Sequence, residues 1–363
     1  MAEATASDIA LQSAAPYASA VLSRRCVIVY VAASFAYLPL MAVGSEVNSR
    51  RDSFVPRQND APAPPDDPTL GTRTDLAQRL TVAVWIGGSG PYQFIVDTGA
   101  ERSVLAEDIA NALNLARGEN VVLDGAIRQL TTGTVAVPSL SMGAVSRSNL
   151  EVPTLPRLLL EADGYLGLDV LDGCRVTFDF KKHTLQVGSP QTKLRSILSW
   201  PGALRVRSTG RSGHLRVIRC IVDDVPATAF IDTGAEISAG NRPLLEALLS
   251  RHPGYLEAGE VPLTDVTGGA ISGHVVTTGL IRMNALRFSA GSIVIADLPV
   301  FDVWGLNKAP ALLIGMNYLR QFARVSVDYP LNEIQFELTH VFGGDRSLVD
   351  AQRSRWPRLA NIV

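Results

Sequence analysis

Apolar and polar residues follow three different patterns along the chain. Residues 26–44 are uncharged and mostly apolar, whereas residues 46–75 contain five prolines and no apolar periodicity. From residue 76 to residue 340, short apolar runs recur between Gly, Pro, Asn and Asp, as is typical of β-strands. Only two stretches, Leu105–Leu115 and Pro243–Arg251, show the spacing of a helix. The pattern predicts an apolar segment, a linker and a body that is mainly β.

Two hairpins are predicted within this body, and each leads into the same tetrapeptide. The first joins Leu80–Ile86 to Tyr92–Val96, and the second joins Leu215–Val222 to Ala227–Ile231. Each is followed at once by Asp-Thr-Gly-Ala, which begins at Asp97 in the first copy and at residue 232 in the second. Because the tetrapeptide recurs in the same context, the sequence predicts a duplicated site that brings two carboxylates together.

The repeat extends well beyond the tetrapeptides. Tyr165–Leu171 matches Leu313–Leu319, and the β-type run Val176–Phe180 matches Val325–Tyr329. A period this long indicates two homologous domains rather than an array of small repeats. The predicted domains are residues 76–190 and 198–340, followed by a surface tail over residues 341–363.

The duplicated Asp-Thr-Gly-Ala, with its later apolar-apolar-Gly segments, resembles the retropepsin-like bacterial aspartic proteases. The resemblance implies an all-β fold of two homologous β-barrel lobes around a central cleft, with one catalytic residue from each, Asp97 and Asp232. It implies an endopeptidase in which a water molecule attacks the peptide bond directly, without an acyl-enzyme and without a metal or organic cofactor. Retropepsins form this site by homodimerisation and pepsins by fusion. Both copies lie in one chain here, so a monomeric catalytic unit is expected, acting on a protein or peptide.

The resemblance also assigns supporting roles around the two aspartates. Paired threonines are expected to hydrogen-bond between the lobes, and the glycines to permit the tight turns beside the carboxylates. Pepsins have Ser or Thr at the position after Gly, and the alanines found here lack that hydroxyl, so we expect a less acidic pH optimum than that of pepsin. The supporting residues are Thr98, Gly99, Ala100, Thr233, Gly234 and Ala235.

Two Gly-containing turns between β-type runs are candidates for flaps that close over a substrate. One contains Gly125, and the other contains Gly268 and Gly269. Ordinary surface hairpin turns remain the alternative, because glycine is common in turns. Ser103 and Ser238, each six residues after its Asp, are expected to cap the turn or helix that follows.

Composition excludes several other classes of protein. The net charge is −2 and no stretch is dense in Lys or Arg, whereas nucleic-acid binding needs concentrated positive charge. The three cysteines and five histidines form no zinc pattern, so no metal site is expected. Cys174 and Cys220 are either two buried thiols or one disulfide.

A non-catalytic, bilobed peptide-binding protein of the cell envelope remains the alternative function. The second motif continues as Glu236–Asn241 and lacks the apolar pair Val104-Leu105 that follows the first motif. The second Asp loop is therefore open to a different kind of support. Two carboxylates placed together favour the protease.

The N-terminus carries features of an export signal. Arg24-Arg25 precede the apolar stretch Cys26–Gly44, which has about the length of a minimal membrane span. Residues 1–45 are interpreted as a signal peptide or membrane anchor with an apolar targeting helix, and residues 46–75 as a Pro-rich linker. A buried core helix is the alternative. The expected location is the periplasm, either free or anchored in the inner membrane through residues 26–44.

Overall fold

A computed structural model describes most of the body of the chain. The described residues are 80–188, 203–208, 216–254, 257–288 and 290–338, together with short strands between residues 25 and 74. The body is mainly β, as predicted, and its strands form three sheets.

The strands are numbered in chain order. They are β1 (Arg25–Val27), β2 (Ala32–Ala33), β3 (Thr69–Gly71), β4 (Arg73–Thr74), β5 (Leu80–Ile86), β6 (Ser89–Val96), β7 (Val104–Ala106), β8 (Arg117–Asp124), β9 (Gln129–Met142), β10 (Val145–Leu155), β11 (Gly164–Leu166), β12 (Arg175–Asp179), β13 (Thr184–Gly188), β14 (Leu204–Arg207), β15 (Arg216–Val222), β16 (Val225–Ile231), β17 (Ala239–Gly240), β18 (Glu257–Thr264), β19 (Ala270–Thr278), β20 (Ile281–Met283), β21 (Leu286–Phe288), β22 (Gly291–Ile295), β23 (Ala311–Ile314), β24 (Phe322–Asp328) and β25 (Glu333–Leu338). The helices are α1 (Glu107–Ala112), α2 (Arg157–Leu160), α3 (Leu168–Leu171), α4 (Arg242–Arg251), α5 (Val300–Val303) and α6 (Met316–Leu319).

The two predicted helices exist, but the first is shorter than expected. Leu105 belongs to β7, where it pairs with both β10 and β11, so tertiary pairing takes this residue out of the helix. The helix α1 therefore begins at Glu107. The second helix, α4, begins at Arg242, and the Asn241 side chain caps it by accepting a hydrogen bond from Leu244 N–H at 3.1 Å.

The first sheet closes into a six-stranded barrel. Its ring runs β5–β6–β11–β7–β10–β9, and β9 pairs back onto β5. Apolar residues alternate inward along the strands, and the interior is filled by side chains such as Val82, Val84 and Phe94, each at most 1% exposed. Burial of this apolar surface is the main force that holds the barrel together.

The strand order recurs in the second sheet. It runs β19–β22–β17–β23–β16–β15–β20, and only residues 279 and 280 separate β19 from β20. In this sheet β19 and β20 together take the place that β9 has in the first barrel, and β16 and β23 take the places of β6 and β11. Both Asp-Thr-Gly-Ala segments therefore follow equivalent strands.

A third sheet joins the two halves. Its order is β14–β25–β24–β12–β13–β3, with β12 and β24 antiparallel at its centre. Thr177 faces Ser326 at the middle of that pair, and their hydroxyl oxygens lie 2.8 Å apart. These are matching positions of the two predicted repeats, so the halves are related by an approximate two-fold axis through this sheet.

Four short described pieces of the N-terminal segments are strands. Within residues 26–44 the described parts are strand, because β1 pairs in parallel with β8 and β2 pairs antiparallel with β18. The β-branched residues of this stretch favour strands, and β8 and β18 offer open edges for pairing. At the end of the predicted linker, β3 pairs with β13 and β4 with β5.

Other N-terminal and C-terminal expectations lie outside the described residues. These include the rest of the apolar stretch, most of the predicted linker and the tail over residues 341–363. Among the described residues, no helix is long and apolar enough to span a membrane.

Candidate active site

Each predicted aspartate directly follows a strand that lies between two neighbouring strands of its sheet. Asp97 follows β6 and its N–H donates to Leu166 O at 3.0 Å, and Asp232 follows β16 and donates to Ile314 O at 3.0 Å. The apolar-apolar-Gly segments therefore lie beside the Asp loops, because β11 and β23 run parallel to β6 and β16.

The structure brings the two carboxylates together across the two halves. A Cβ placed on Gly99 would lie 2.8 Å from Cγ of Asp232, and one placed on Gly234 would lie 2.4 Å from Cγ of Asp97. Each carboxyl group thus occupies the space in which the opposite loop lacks a side chain. Any residue larger than glycine at either position would collide with an aspartate.

Backbone amides hold both carboxylates in the same orientation. Asp97 Oδ1 accepts hydrogen bonds from Gly99 N–H at 2.8 Å and Ala100 N–H at 3.0 Å. Asp232 Oδ1 accepts the equivalent bonds from Gly234 N–H at 2.8 Å and Ala235 N–H at 3.3 Å. The alanines therefore support the site through their backbone amides.

Burial and mutual repulsion oppose full ionisation of the pair. Asp97 and Asp232 have relative exposures of 0% and 1%. Burial raises the pKa of Asp232 well above its ordinary value, and the negative charge of Asp97 raises it further, although the amides of Gly234 and Ala235 oppose the shift. Two adjacent carboxylates in such surroundings hold one proton between them over a wide pH range.

Two threonines tie the Asp loops to each other. Thr98 N–H donates to Thr233 Oγ1 and Thr233 N–H donates to Thr98 Oγ1, both at 3.1 Å. The hydroxyls in turn donate across the interface, Thr98 to Ile231 O at 3.0 Å and Thr233 to Val96 O at 2.7 Å. The four bonds are reciprocal and buried, and they fix the separation of the two carboxylates.

Ser103 and Ser238 bind the neighbouring loops instead of capping a following helix or turn. Ser103 Oγ accepts from Gly167 N–H at 3.0 Å and donates to Asp169 Oδ1 at 2.7 Å. Ser238 Oγ accepts from Gly315 N–H at 2.9 Å and donates to the amide oxygen of residue 317 at 2.7 Å. The expectation of a cap was wrong because Gly167 and Gly315, remote in sequence, supply the donors.

Asp169 and Asn317 are contacts of the Asp loops that sequence reasoning missed. Both stand two residues after the glycine of the apolar-apolar-Gly segment, so the repeat itself marks them. Burial raises the pKa of Asp169, and its hydrogen bonds from Ser103 partly oppose that shift. The second half holds a neutral amide in the same place.

The second Asp loop is supported in the same way as the first. Met316 N–H donates to Ala235 O at 2.8 Å, as Leu168 N–H donates to Ala100 O at 2.9 Å. Asn317 N–H donates to the carbonyl oxygen of residue 236 at 3.1 Å, just as Asp169 N–H donates to the carbonyl oxygen of residue 101 at 3.2 Å. The unusual continuation of the second motif therefore does not change how its loop is held.

The candidate flap glycines lie at the tips of two hairpins that touch. The first hairpin, β8–β9, has its tip at residues 125–128, and the second, β18–β19, has its tip at residues 265–269. The carboxylate of Asp265 accepts from Ile127 N–H at 2.8 Å and from Arg128 N–H at 3.2 Å across the contact. It also accepts from Gly269 N–H at 2.7 Å within its own tip. We call this set of bonds the Asp265 clasp.

Glycines make room for this contact between the tips. A Cβ on Gly125 would lie 2.5 Å from Asp265 Oδ2, and one on Gly268 would lie 3.0 Å from a guanidinium nitrogen of Arg128. The Arg128 side chain donates to Thr267 O through Nε at 2.9 Å. Sequence reasoning named the glycines of both tips and missed the carboxylate that joins them.

The first tip also docks onto the second half. Ala126 is fully buried and its carbonyl accepts from Val300 N–H, at the start of α5, at 3.3 Å. It belongs to one apolar cluster with Phe230 and Ala235, and Ala235 is part of the second Asp loop. The hairpin tips and the aspartates are therefore parts of one connected region.

The described residues contain neither a disulfide nor a cluster of metal-ligating side chains. Cys174 and Cys220 are both buried free thiols, and burial raises the pKa of Cys220 to about 12. No three His, Cys, Asp or Glu side chains of the described body are grouped as a metal site.

Comparison with known proteins finds one match, which covers part of the first half of the body. Residues 82–170 match a family model described as aspartyl protease, a retropepsin-like family. No curated protein matches the chain. The matched span includes Asp97, the β8–β9 hairpin and Asp169. The second half repeats this arrangement around Asp232. Residues 82–170 are therefore similar to the retropepsin-like aspartyl proteases, as the duplicated motif indicated.

Proposed function

We propose that the chain is an aspartic endopeptidase in which Asp97 and Asp232 form the catalytic pair. The observation that carries the proposal is the reciprocal approach of each carboxylate to the glycine of the opposite loop. A protein that only bound peptides would have no need to bury two carboxylates side by side, because burial and repulsion make that arrangement costly.

The proposed reaction uses one proton held by the pair. The ionised carboxylate takes a proton from a water molecule, and the protonated carboxyl donates to the oxygen of the scissile carbonyl. Water oxygen bonds to the carbonyl carbon, the C–N bond then breaks, and the leaving nitrogen takes up a proton. The two apparent pKa values belong to the pair, so neither aspartate alone is the acid or the base.

The two similar sheets are proposed to be the lobes of a bilobed acid-protease fold. An extended peptide would lie between the aspartates and the two hairpins and would pair with the outer strands as an added strand. Because the central sheet and the threonine bonds join both halves within one chain, the catalytic unit is proposed to be a monomer.

An envelope location and an envelope protein as substrate are further parts of the proposal. They rest on Arg24-Arg25 followed by the uncharged stretch Cys26–Gly44. Appending an alkaline phosphatase reporter after residue 75 and assaying it in intact bacteria tests export, because that reporter is active only outside the cytoplasm. A reporter that stays inactive would refute the envelope location.

Peptide cleavage by the full chain tests the enzymatic function. Wild-type protein, Asp97→Asn and Asp232→Asn are incubated with a mixed peptide library from about pH 3 to pH 8, and the products are identified by mass spectrometry. Loss of either carboxylate should lower the rate by about 10²–10⁴-fold, and by similar factors, because each serves the same pair. Asn is chosen because its side-chain oxygen can still accept the backbone hydrogen bonds.

Asp328→Asn is the matched control. Asp328 is also a buried aspartate of the repeat, but it lies in the central sheet, where its Oδ1 accepts from Leu331 N–H at 3.1 Å. This variant should keep the wild-type rate. Binding of peptides without any cleavage across the pH range would refute the protease and favour the peptide-binding alternative.

A further inference from the structure

The two halves carry unlike side chains at a matching, partly exposed position beside the Asp loops. Arg102 and Ile237 each stand five residues after the aspartate of their own loop, and both are partly exposed. A Cβ on Gly167 would lie 2.5 Å from the carbonyl carbon of Arg102. A Cβ on Gly315 would lie 2.8 Å from the carbonyl carbon of Ile237. The two backbones therefore occupy equivalent places, one with a positive charge and the other with an apolar side chain.

The surroundings of Ile237 are apolar. It packs against the cluster that contains Ala126 of the first hairpin tip and Ala235 of the second Asp loop. Ile127, the next residue of that tip, is also partly exposed and packs against the same cluster. This side of the candidate site thus presents apolar surface between an Asp loop and a hairpin tip.

The surroundings of Arg102 are polar and charged. Its guanidinium donates to Glu151 O on β10. Burial raises the pKa of Asp169, and the positive charge of Arg102 is one of the groups that oppose this shift. The first half therefore keeps a cation at a position where the second half keeps none.

The carbonyl that accepts from Arg102 does not require a charged donor. Glu151 stands three residues before the residue that pairs with Leu105, and Ser292 stands three residues before the one that pairs with Gly240. Since Leu105 and Gly240 match in the repeat, the two carbonyls match as well. In the second half the Asn317 side-chain amide donates to Ser292 O at 3.2 Å. A neutral amide is thus sufficient for this hydrogen bond, and the charge of the arginine is left for another role.

We propose that Arg102 and Ile237 set the direction and the sequence preference of substrate binding. A peptide is directional, so a site with identical halves would accept it equally well in both directions, whereas unlike halves favour one. The preferred substrate is an extended peptide with an acidic side chain on one side of the cleaved bond. It carries an apolar side chain at the same distance on the other side. This inference rests on the proposed function, since it takes Asp97 and Asp232 to be the catalytic pair, with one of the two positions beside each.

The size of each preference follows from the kind of contact. A partly exposed ion pair favours an acidic residue over a neutral polar one by up to about fivefold. This preference should weaken as salt is added, because salt screens exposed charges. Burial against Ile237 and Ile127 should favour leucine over alanine by about tenfold or more, with little dependence on salt.

The test compares cleavage-site preferences on one peptide library at about pH 6, where acidic side chains of peptides are ionised. Arg102→Gln removes the charge and keeps an amide that can donate to Glu151 O, and Arg102→Lys keeps the charge. Adding Ile237→Arg to Arg102→Gln moves the charge to the other half. Arg117→Gln is the matched control, because it removes an exposed positive charge from the first half at the end of β8 remote from the tip. Urea midpoints establish that each variant is folded.

Wild type, Arg102→Lys and the control should prefer an acidic residue on one side of the cleaved bond and an apolar residue at the matching position on the other. Arg102→Gln should lose the acidic preference, and the double variant should show it on the opposite side. An acidic preference that survives in Arg102→Gln, or a wild-type profile that is alike on both sides of the bond, would overturn this inference and leave the protease intact. Failure of every variant and of wild type to cleave any peptide would refute the proposed function, and this inference with it.

Discussion

Replacement of Thr98 by valine should uncouple the two Asp loops and destabilise the protein. Thr98 Oγ1 accepts from Thr233 N–H at 3.1 Å and donates to Ile231 O at 3.0 Å, and Thr98 is fully buried. Valine has the same shape but no hydroxyl, so it leaves two buried backbone groups without these partners. Each such group costs about 1–3 kcal/mol, which predicts a loss of about 2–6 kcal/mol in the free energy of unfolding.

Urea denaturation measures this loss, and Thr98→Ser is the control because it keeps the hydroxyl and loses one methyl group, at about 1 kcal/mol. Thr233→Val removes the equivalent bonds to Thr98 N–H and Val96 O, so its cost should match that of Thr98→Val within about 1 kcal/mol. Peptidase activity of both valine variants should fall as well. A Thr98→Val protein no less stable than Thr98→Ser would refute the argument that these bonds hold the site together.

Four further predictions concern charge and the hairpin tips. The folded-state pKa of Asp232 is raised, so folding favours its protonated form. The stability that this preference contributes is present at low pH and is lost as pH rises through the raised pKa. The urea midpoint of the wild type should fall accordingly, and the midpoint of Asp232→Asn should lack this fall. The same raised pKa should keep the pair singly protonated above the ordinary pKa of an aspartate, so a rate profile that peaks near pH 2 would contradict it. Asp265→Ala should speed hydrogen exchange at the Ile127 amide by about tenfold or more, whereas Glu260→Gln, an exposed change on the same hairpin, should not. Asp169→Asn should cost less than about 1 kcal/mol, because the second half already uses an amide at that position, and a larger loss would show that the negative charge is required.

Much of the fold and the centre of the site could be predicted from the sequence, because their signals are local. Asp97 and Asp232 stand in contiguous motifs after apolar runs, and the alternation of apolar residues marks the strands. Leu105 shows the limit of such reasoning, since its helical spacing was overridden by pairing with β10 and β11. A local pattern does not contain those partners.

The Asp265 clasp could not be predicted for the same reason. Ile127 and Asp265 lie 138 positions apart, and each reads locally as part of an ordinary turn. The N-terminal stretch shows a related difficulty. Its apolar composition suits both a membrane helix and a strand, and only the open edges of β8 and β18 explain why residues 25–27 and 32–33 are strands.

The Asp265 clasp has a consequence for how such a protein can evolve. In a symmetric homodimer both tips would have the same sequence, so an aspartate as the first residue of one tip would also replace Gly125 in the other. A Cβ on Gly125 would lie 2.5 Å from Asp265 Oδ2, so the two carboxylates would collide and repel each other. Here the carboxylate of one tip meets the backbone amides of a different sequence, Ile127-Arg128. The contact therefore needs two tips of different sequence, which a single chain carrying both halves allows. Because both halves lie in one chain, the two hairpins need not be identical, and the Asp265 clasp depends on that asymmetry.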